Sequence, residues 1–164
     1  MRLWLLLPLL CLSTAAAAFE RPPLLEDAET TRNTVRSRSA TYYFTLDGRQ
    51  QTGSGLREVV IRPLPAPDTF TFVLSETALF LDNQQPLPID VASLGEESGG
   101  IRITLRQPLP GPYRLRVALR PVANPHTAGV YLFDVQARAD RESQSRTLGI
   151  ARIHFYSSHS HWRP

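Results

Sequence analysis

Four histidines, His126, His154, His159 and His161, are the side chains of this sequence best suited to metal chemistry, because neutral imidazole is the common protein ligand for copper, zinc and nickel. Three of them fall within residues 154–164, and His159 and His161 stand one residue apart in a serine-rich tail with no acidic residue or cysteine beside them. Their rings converge only if the tail folds back. The expectation is therefore a terminus that happens to be rich in histidine, with no resident metal and no other cofactor. A metal-handling role built on the four histidines is the alternative.

Covalent and hydrolytic chemistry is poorly provided for. The single cysteine, Cys11, lies in an apolar run near the start, lysine is absent, and no Gly-x-Ser-x-Gly elbow occurs. Gly53-Ser54-Gly55 reads as a flexible hairpin tip. Glu96 and Glu97 sit in a glycine-bounded loop where both carboxylates would stay ionised, whereas glycoside hydrolysis needs two different environments for its acid and its base. An enzyme is not expected.

The cations carry more information. All eighteen basic residues are arginine, against fifteen acids, for a formal charge of +3. That small excess gives no basis for a nucleic-acid partner. Arg102 and Arg106 share the outward parity of one expected strand, and Arg114, Arg116 and Arg120 that of the next, beyond the turn at Pro108–Pro112. If the two strands are neighbours, five guanidinium groups gather on one face that would attract an anionic glycan or headgroup. If the connection crosses between sheets, the five split into a pair and a trio. The competing expectation is an ordinary solvated face neutralised by Asp134 and other acids.

Short strands must position these groups. Fourteen prolines and nine glycines, with 42% hydrophobic and 20% charged residues, describe a globular chain of many turns and disfavour a helical bundle. Alternation predicts strands over Ala40–Leu46, Phe70–Leu74, Ile101–Arg106, Tyr113–Arg120, Gly129–Ala137 and Leu148–Tyr156, the last with a β-bulge between Ile150 and Ile153, and an apolar run ended by Pro63 and Pro65 predicts another over Leu56–Ile61. Ala78–Leu81 is either a strand or a helical turn, and Ile89–Ala92 a possible short strand. The fold expected is an all-β, immunoglobulin-like antiparallel sandwich of about seven or eight strands, with a barrel as runner-up. Tyr113, Leu115 and Val117 should share one core with Tyr131, Phe133 and Val135, in two strands paired antiparallel. The aromatic set Tyr42, Phe44, Phe70 and Phe72 reads as core, with Tyr43 on the opposite parity.

The chain opens with Arg2, the apolar run Leu3–Leu12 and the small residues Ala15–Ala18, the three parts of a secretory signal, so cleavage before Phe19 is expected. Residues 19–39 are polar and aperiodic and read as an extended arm or linker, residues 40–156 as the sandwich and residues 157–164 as a flexible tail. After cleavage no cysteine and no membrane anchor remain, and a monomer stabilised by packing alone is the default. Periplasm or cell envelope is the expected location, with the thylakoid lumen or the exterior as alternatives. The partner expected there is an envelope component, either a protein or an anionic glycan.

The elements Pro108–Gly111, Leu119-Arg120-Pro121, Asn124-Pro125, Gly129, Tyr131-Leu132-Phe133, Val135, Leu148-Gly149 and Phe155-Tyr156 resemble the C-terminal half of an uncharacterised family of exported, chiefly cyanobacterial proteins known only as a domain of unknown function. The resemblance implies export and carries no activity with it. A looser cadence, a Pro-Gly turn, a Tyr-led strand and a His-bearing loop, is similar to periplasmic immunoglobulin-like copper-resistance proteins. There only His126 matches a copper ligand, Asn124 stands where that family has Asp, and no histidine lies near Phe19.

Overall fold

Alternating apolar residues become strands because a pleated chain sends successive side chains to opposite faces. The computed structural model describes residues 18–82, 84–95 and 97–157. Among them lie twelve strands: β1 (Phe19–Arg21), β2 (Leu24–Thr30), β3 (Tyr42–Asp47), β4 (Thr52–Gly53), β5 (Leu56–Pro63), β6 (Ala78–Leu81), β7 (Gln85–Pro86), β8 (Ile89–Ser93), β9 (Ile101–Leu109), β10 (Arg114–Leu119), β11 (Gly129–Ala139) and β12 (Arg146–Phe155). They form two five-stranded antiparallel sheets, ordered β2-β3-β10-β6-β7 and β12-β11-β5-β9-β8, and a two-stranded ribbon of β1 and β4. The fold is an immunoglobulin-like β-sandwich, as the alternation predicts.

The inner faces interdigitate along the expected parity. Tyr42, Phe44 and Leu46 from β3 and Leu115, Val117 and Leu119 from β10 meet Val59 and Ile61 from β5, Ile101 and Ile103 from β9, and Phe133 and Val135 from β11, all at or near zero exposure. Each such side chain contributes roughly 1.5–3 kcal/mol by leaving water. Tyr42 is the hub of an aromatic cluster, with ring centroids 6.2 Å from Phe70, 6.0 Å from Phe72, 6.1 Å from Phe133 and 5.6 Å from Phe155.

Several expectations change. The segment over 19–39 is not a free arm: Leu24–Thr30 is hydrogen-bonded along β3, pairing Thr30 with Tyr42 and Leu25 with Leu46. Its polar composition misled because β2 is an edge strand whose side chains stay largely in water, with only Leu25 and Ala28 packed on the core. β10 and β11 share the core but do not pair; they belong to different sheets and face each other across it. Phe70–Leu74 is not a strand either. It crosses from β5 in one sheet to β6 in the other, so its ladder shrinks to a bridge between Phe72 and Pro121, followed by a 3-10 turn at Leu74–Glu76. The two rings still enter the core, stacked with centroids 6.1 Å apart. The irregularity in β12 lies earlier than Ile150: Val135 pairs with Gly149 and Gln136 with Thr147, which leaves Leu148 as the extra residue. Ile150 then faces solvent and Ala151 the core. The strand Ala78–Leu81 settles the choice there against a helical turn. More strands than expected occur because several, such as β4 and β7, are only two residues long.

Candidate functional site

Loops gather at one end of the sandwich, where 64–77 and 121–128 cross between the sheets and 94–100 joins β8 to β9. Three adjoining clefts open there and share Thr69 or its neighbours. One of about 430 Å³ runs between Thr69–Phe72 and Ser93, Gly95 and Gly99. A second of about 400 Å³ lies between Arg62–Ala66 and Glu97–Gly99. The third, of about 250 Å³, is lined by Thr69, Thr71 and Val122–His126.

The loops are held by buried polar bonds. Asn124 is almost fully buried and its side chain is saturated: Oδ1 accepts from the Tyr42 hydroxyl at 2.9 Å, and Nδ2 donates to the carbonyls of Arg32 at 2.9 Å and Thr34 at 2.8 Å. Burial drives the Tyr42 phenol well above the ordinary tyrosine range. Beside it, the Tyr131 hydroxyl donates to Asp68 Oδ2 at 2.6 Å with the Thr127 carbonyl at 3.0 Å, and the Thr127 N–H donates to the same carboxylate at 3.0 Å. Hydrogen bonding, first from Tyr131 and then from the backbone, holds Asp68 below the usual carboxylate range. Burial, then the Asp68 bond, pushes Tyr131 up to about 12. Gly99, with φ +56°, passes so close to loop 64–77 that a Cβ would stand 2.6 Å from the Phe70 carbonyl oxygen. The clefts therefore have mixed walls: hydroxyls, backbone and proline throughout, with Phe70, Phe72 and Leu74 in the first, Arg62, Asp68 and Glu97 in the second and His126 in the third, and their geometry is fixed by bonds beneath them.

The five singled-out arginines do not meet. Arg102 and Arg106 lie on β9 in one sheet, and Arg114 and Arg116 on β10 in the other, with Arg120 just past its end. Each has an acid partner: Arg102 with Glu58 at 3.5 Å, Arg106 with Asp90 at 3.3 Å, Arg114 with Glu26 at 2.8 Å, Arg116 with Glu29, and Arg120 with Glu76 at 2.6 Å. Asp134, the neutralising residue expected, instead accepts from Gln136. Two of the five acids come from β2, whose pairing the alternation did not reveal, and the others from β5, β8 and the 3-10 turn at Leu74–Glu76. Arg116 also stacks its guanidinium on Tyr43, 3.9 Å from the ring centroid, which gives the odd-parity tyrosine a place on the outer face.

Among the histidines, His126 is exposed on loop 121–128, and His154 faces outward on β12 opposite Val130; His159 and His161 lie outside the described residues. Among the described residues no three His, Cys, Asp or Glu side chains are placed to hold one metal ion. The likeness to copper-resistance proteins gains no support: the Asn124 amide is spent on Tyr42 and two carbonyls. Ser54 is not a loose hairpin tip, since its hydroxyl donates to the Asp140 carbonyl at 3.0 Å. Of the Glu96-Glu97 pair, Glu96 lies outside the described residues. No described helix is long and apolar enough to cross a membrane.

The residues that sequence reasoning missed are Asp68 and the structural role of Asn124. Nothing in their local sequence marks them, because both act across more than sixty positions of chain, on Tyr131 and Tyr42.

The family described as "Protein of unknown function (DUF2808)" matches residues 16–155. No curated protein matches the sequence. Among solved structures, the N-terminal domain of a Streptococcus gordonii adhesin is similar at TM-score 0.54 and 10% identity over 84% of this chain; the chain spans 33% of that one. A C-terminal domain of a Streptococcus agalactiae AgI/II polypeptide gives TM-score 0.49 and 10% identity over 79% of this chain and 50% of its own. The collagen-binding domain of a Staphylococcus aureus adhesin gives 0.42 and 8% identity over 87% and 99%. At such identities the likeness is one of fold.

Proposed function

The chain belongs to the DUF2808 family, and from that premise we propose that it is an exported β-sandwich of the cell envelope that acts by binding or structural association, without catalysis. One observation carries this reading. The buried polar groups at the loop end are spent on holding loops, as in Tyr42–Asn124 and Asp68–Tyr131, while the clefts above them present hydroxyls and main chain beside apolar rings and the scattered charges of Arg62 and Glu97, the mixed equipment of a recognition surface on a rigid scaffold. The secretory pattern of Arg2, Leu3–Leu12 and Ala15–Ala18 supports export. The fold likeness to an adhesin domain is compatible with a surface role.

Cell fractionation with intact mass measurement tests it. The expected product is an envelope-associated chain beginning at Phe19. Recovery in the cytoplasm with residues 1–18 retained would overturn the reading.

A further inference from the structure

Of the five large apolar side chains that stand exposed among the described residues, three share one flank, the others being Leu24 on β2 and Val122 on loop 121–128. On the outer face of the second sheet, Val130 is 52% exposed, Ile150 45% and Tyr156 56%. Register brings them together. Val130 stands opposite His154, Leu132 opposite Arg152, and Asp134 opposite both Ile150 and Arg62. The half-buried Leu64 joins the row, its N–H donating to the Leu132 carbonyl at 2.9 Å. Tyr156 follows Phe155, which points inward, so Tyr156 continues the outward series Ile150, Arg152, His154.

The cations on this flank differ in kind from the five considered above. Arg62 and Arg152 are exposed and form no ion pair among the described residues. Arg32 and Arg36, also without a carboxylate partner there, lie within two residues of the bridge between Thr34 and Tyr156. The acids nearest these four arginines and one histidine are Asp134, which stands opposite Arg62 and accepts from Gln136, Asp68, which is held by Tyr131 and Thr127, and Glu97 across the cleft from Arg62. An aliphatic strip bordered by guanidinium groups that have no carboxylate partner among the described residues is complementary to a surface that is anionic at its face and apolar just beneath.

The geometry points to docking of this flank on an anionic lipid surface, with Val130, Leu132 and Ile150 entering the headgroup region, Tyr156 lying at its level and Arg62 and Arg152 on the phosphates. A soluble anionic glycan would use the arginines equally well. It would have no use for exposed valine and isoleucine, since sugars pack on aromatic platforms, and this choice of side chains favours lipid. The inference rests on the envelope reading above, but its test is independent of where the protein is found in the cell.

The test is cosedimentation of the chain from Ala18 onward, which holds both sheets and the whole described core and omits the apolar run Leu3–Leu12. Vesicles of equal parts phosphatidylglycerol and phosphatidylcholine are compared with phosphatidylcholine alone, at low and physiological salt. Binding to the anionic vesicles that weakens with salt is expected. Arg62→Gln with Arg152→Gln should weaken it by about tenfold or more. Val130→Ser with Ile150→Ser should also weaken it, including at physiological salt. All four positions are exposed, and thermal unfolding checks that both variants are folded. No preference for anionic vesicles overturns the proposal without recourse to any variant. Binding that is unchanged by Val130→Ser with Ile150→Ser and fully displaced by dextran sulfate would also overturn it, in favour of a polyanion site. Failure in these arms leaves envelope localisation, measured by fractionation, standing or falling by itself.

Discussion

The Tyr42 hydroxyl donates to Asn124 Oδ1 over 2.9 Å inside the core, and the other end of the same amide holds the carbonyls of Arg32 and Thr34. One side chain from loop 121–128 thus fastens a core strand and the segment leading into it. Replacing Asn124 by Ala leaves a buried phenol and two carbonyls without their partner, and should cost about 2–3 kcal/mol in denaturant unfolding. Tyr42→Phe removes only the donor and should cost about 1 kcal/mol. In the double variant the loss should fall short of the sum of the two, because both single variants remove the same Tyr42–Asn124 bond. Full additivity would mean that the bond contributes nothing to stability.

The packing across the core gives a second expectation. Leu115 on β10 and Phe133 on β11 are both completely buried, from opposite sheets. Leu115→Ala should cost about 2–5 kcal/mol and Phe133→Ala about 3–5 kcal/mol, through lost burial and the cavity left behind. Chemical denaturation measures both. A loss below about half a kcal/mol at either site would place that side chain in solvent.

Which faces are buried was legible in the sequence, because alternation along Tyr113–Leu119 and Gly129–Ala137 reports directly on inside and outside. Which strands are neighbours was not. Parity is the same whether two strands pair in one sheet or face each other across the core, so β10 and β11 could be placed together correctly and joined wrongly. β2 was invisible for a related reason: an edge strand with two core contacts has almost no alternation to read. The candidate site was less legible still. The acids opposite Arg114 and Arg116 come from β2, and Asp68 reaches Tyr131 from a loop. Such pairings depend on topology, which local pattern does not contain.

Tyr131 supplies a pH dependence. Burial and the Asp68 bond raise it to about 12 in the folded chain, against an ordinary phenol near 10. The protonated form is favoured in the folded state, so the folded chain holds its proton over an interval in which the unfolded chain has lost it. The resulting stability is present in full below about pH 10 and is lost as pH rises from there through about 12. Alkaline unfolding followed by circular dichroism should become less steep in Tyr131→Phe over that interval. Asp68 acts with the opposite sign. Its folded value lies below the usual carboxylate range, so its contribution is present above about pH 4 and is lost in acid as the pH falls through the folded value. Asp68→Asn should blunt the acid loss as Tyr131→Phe blunts the alkaline one. An unchanged acid branch would show that this carboxylate is not held by the loop.

Arg114, Arg116 and Arg120 provide the contrast to Arg62 and Arg152 on the other sheet, which have no ion pair among the described residues. Each is tied to an acid on the outer face or rim of the first sheet, with side chains between 29% and 53% exposed. In that partly solvated setting an ion pair contributes little, and less in salt. Arg116 also stacks on Tyr43, a contact that adds about 0.5–1 kcal/mol. Changing the three to Gln should therefore destabilise modestly, with Arg116→Gln the largest single effect, and high salt should reduce the difference from wild type. It should leave partitioning onto anionic vesicles unchanged, because charges already neutralised by Glu26, Glu29 and Glu76 have little left to offer a phosphate. Loss of vesicle binding in this triple variant would move the contact surface to the first sheet.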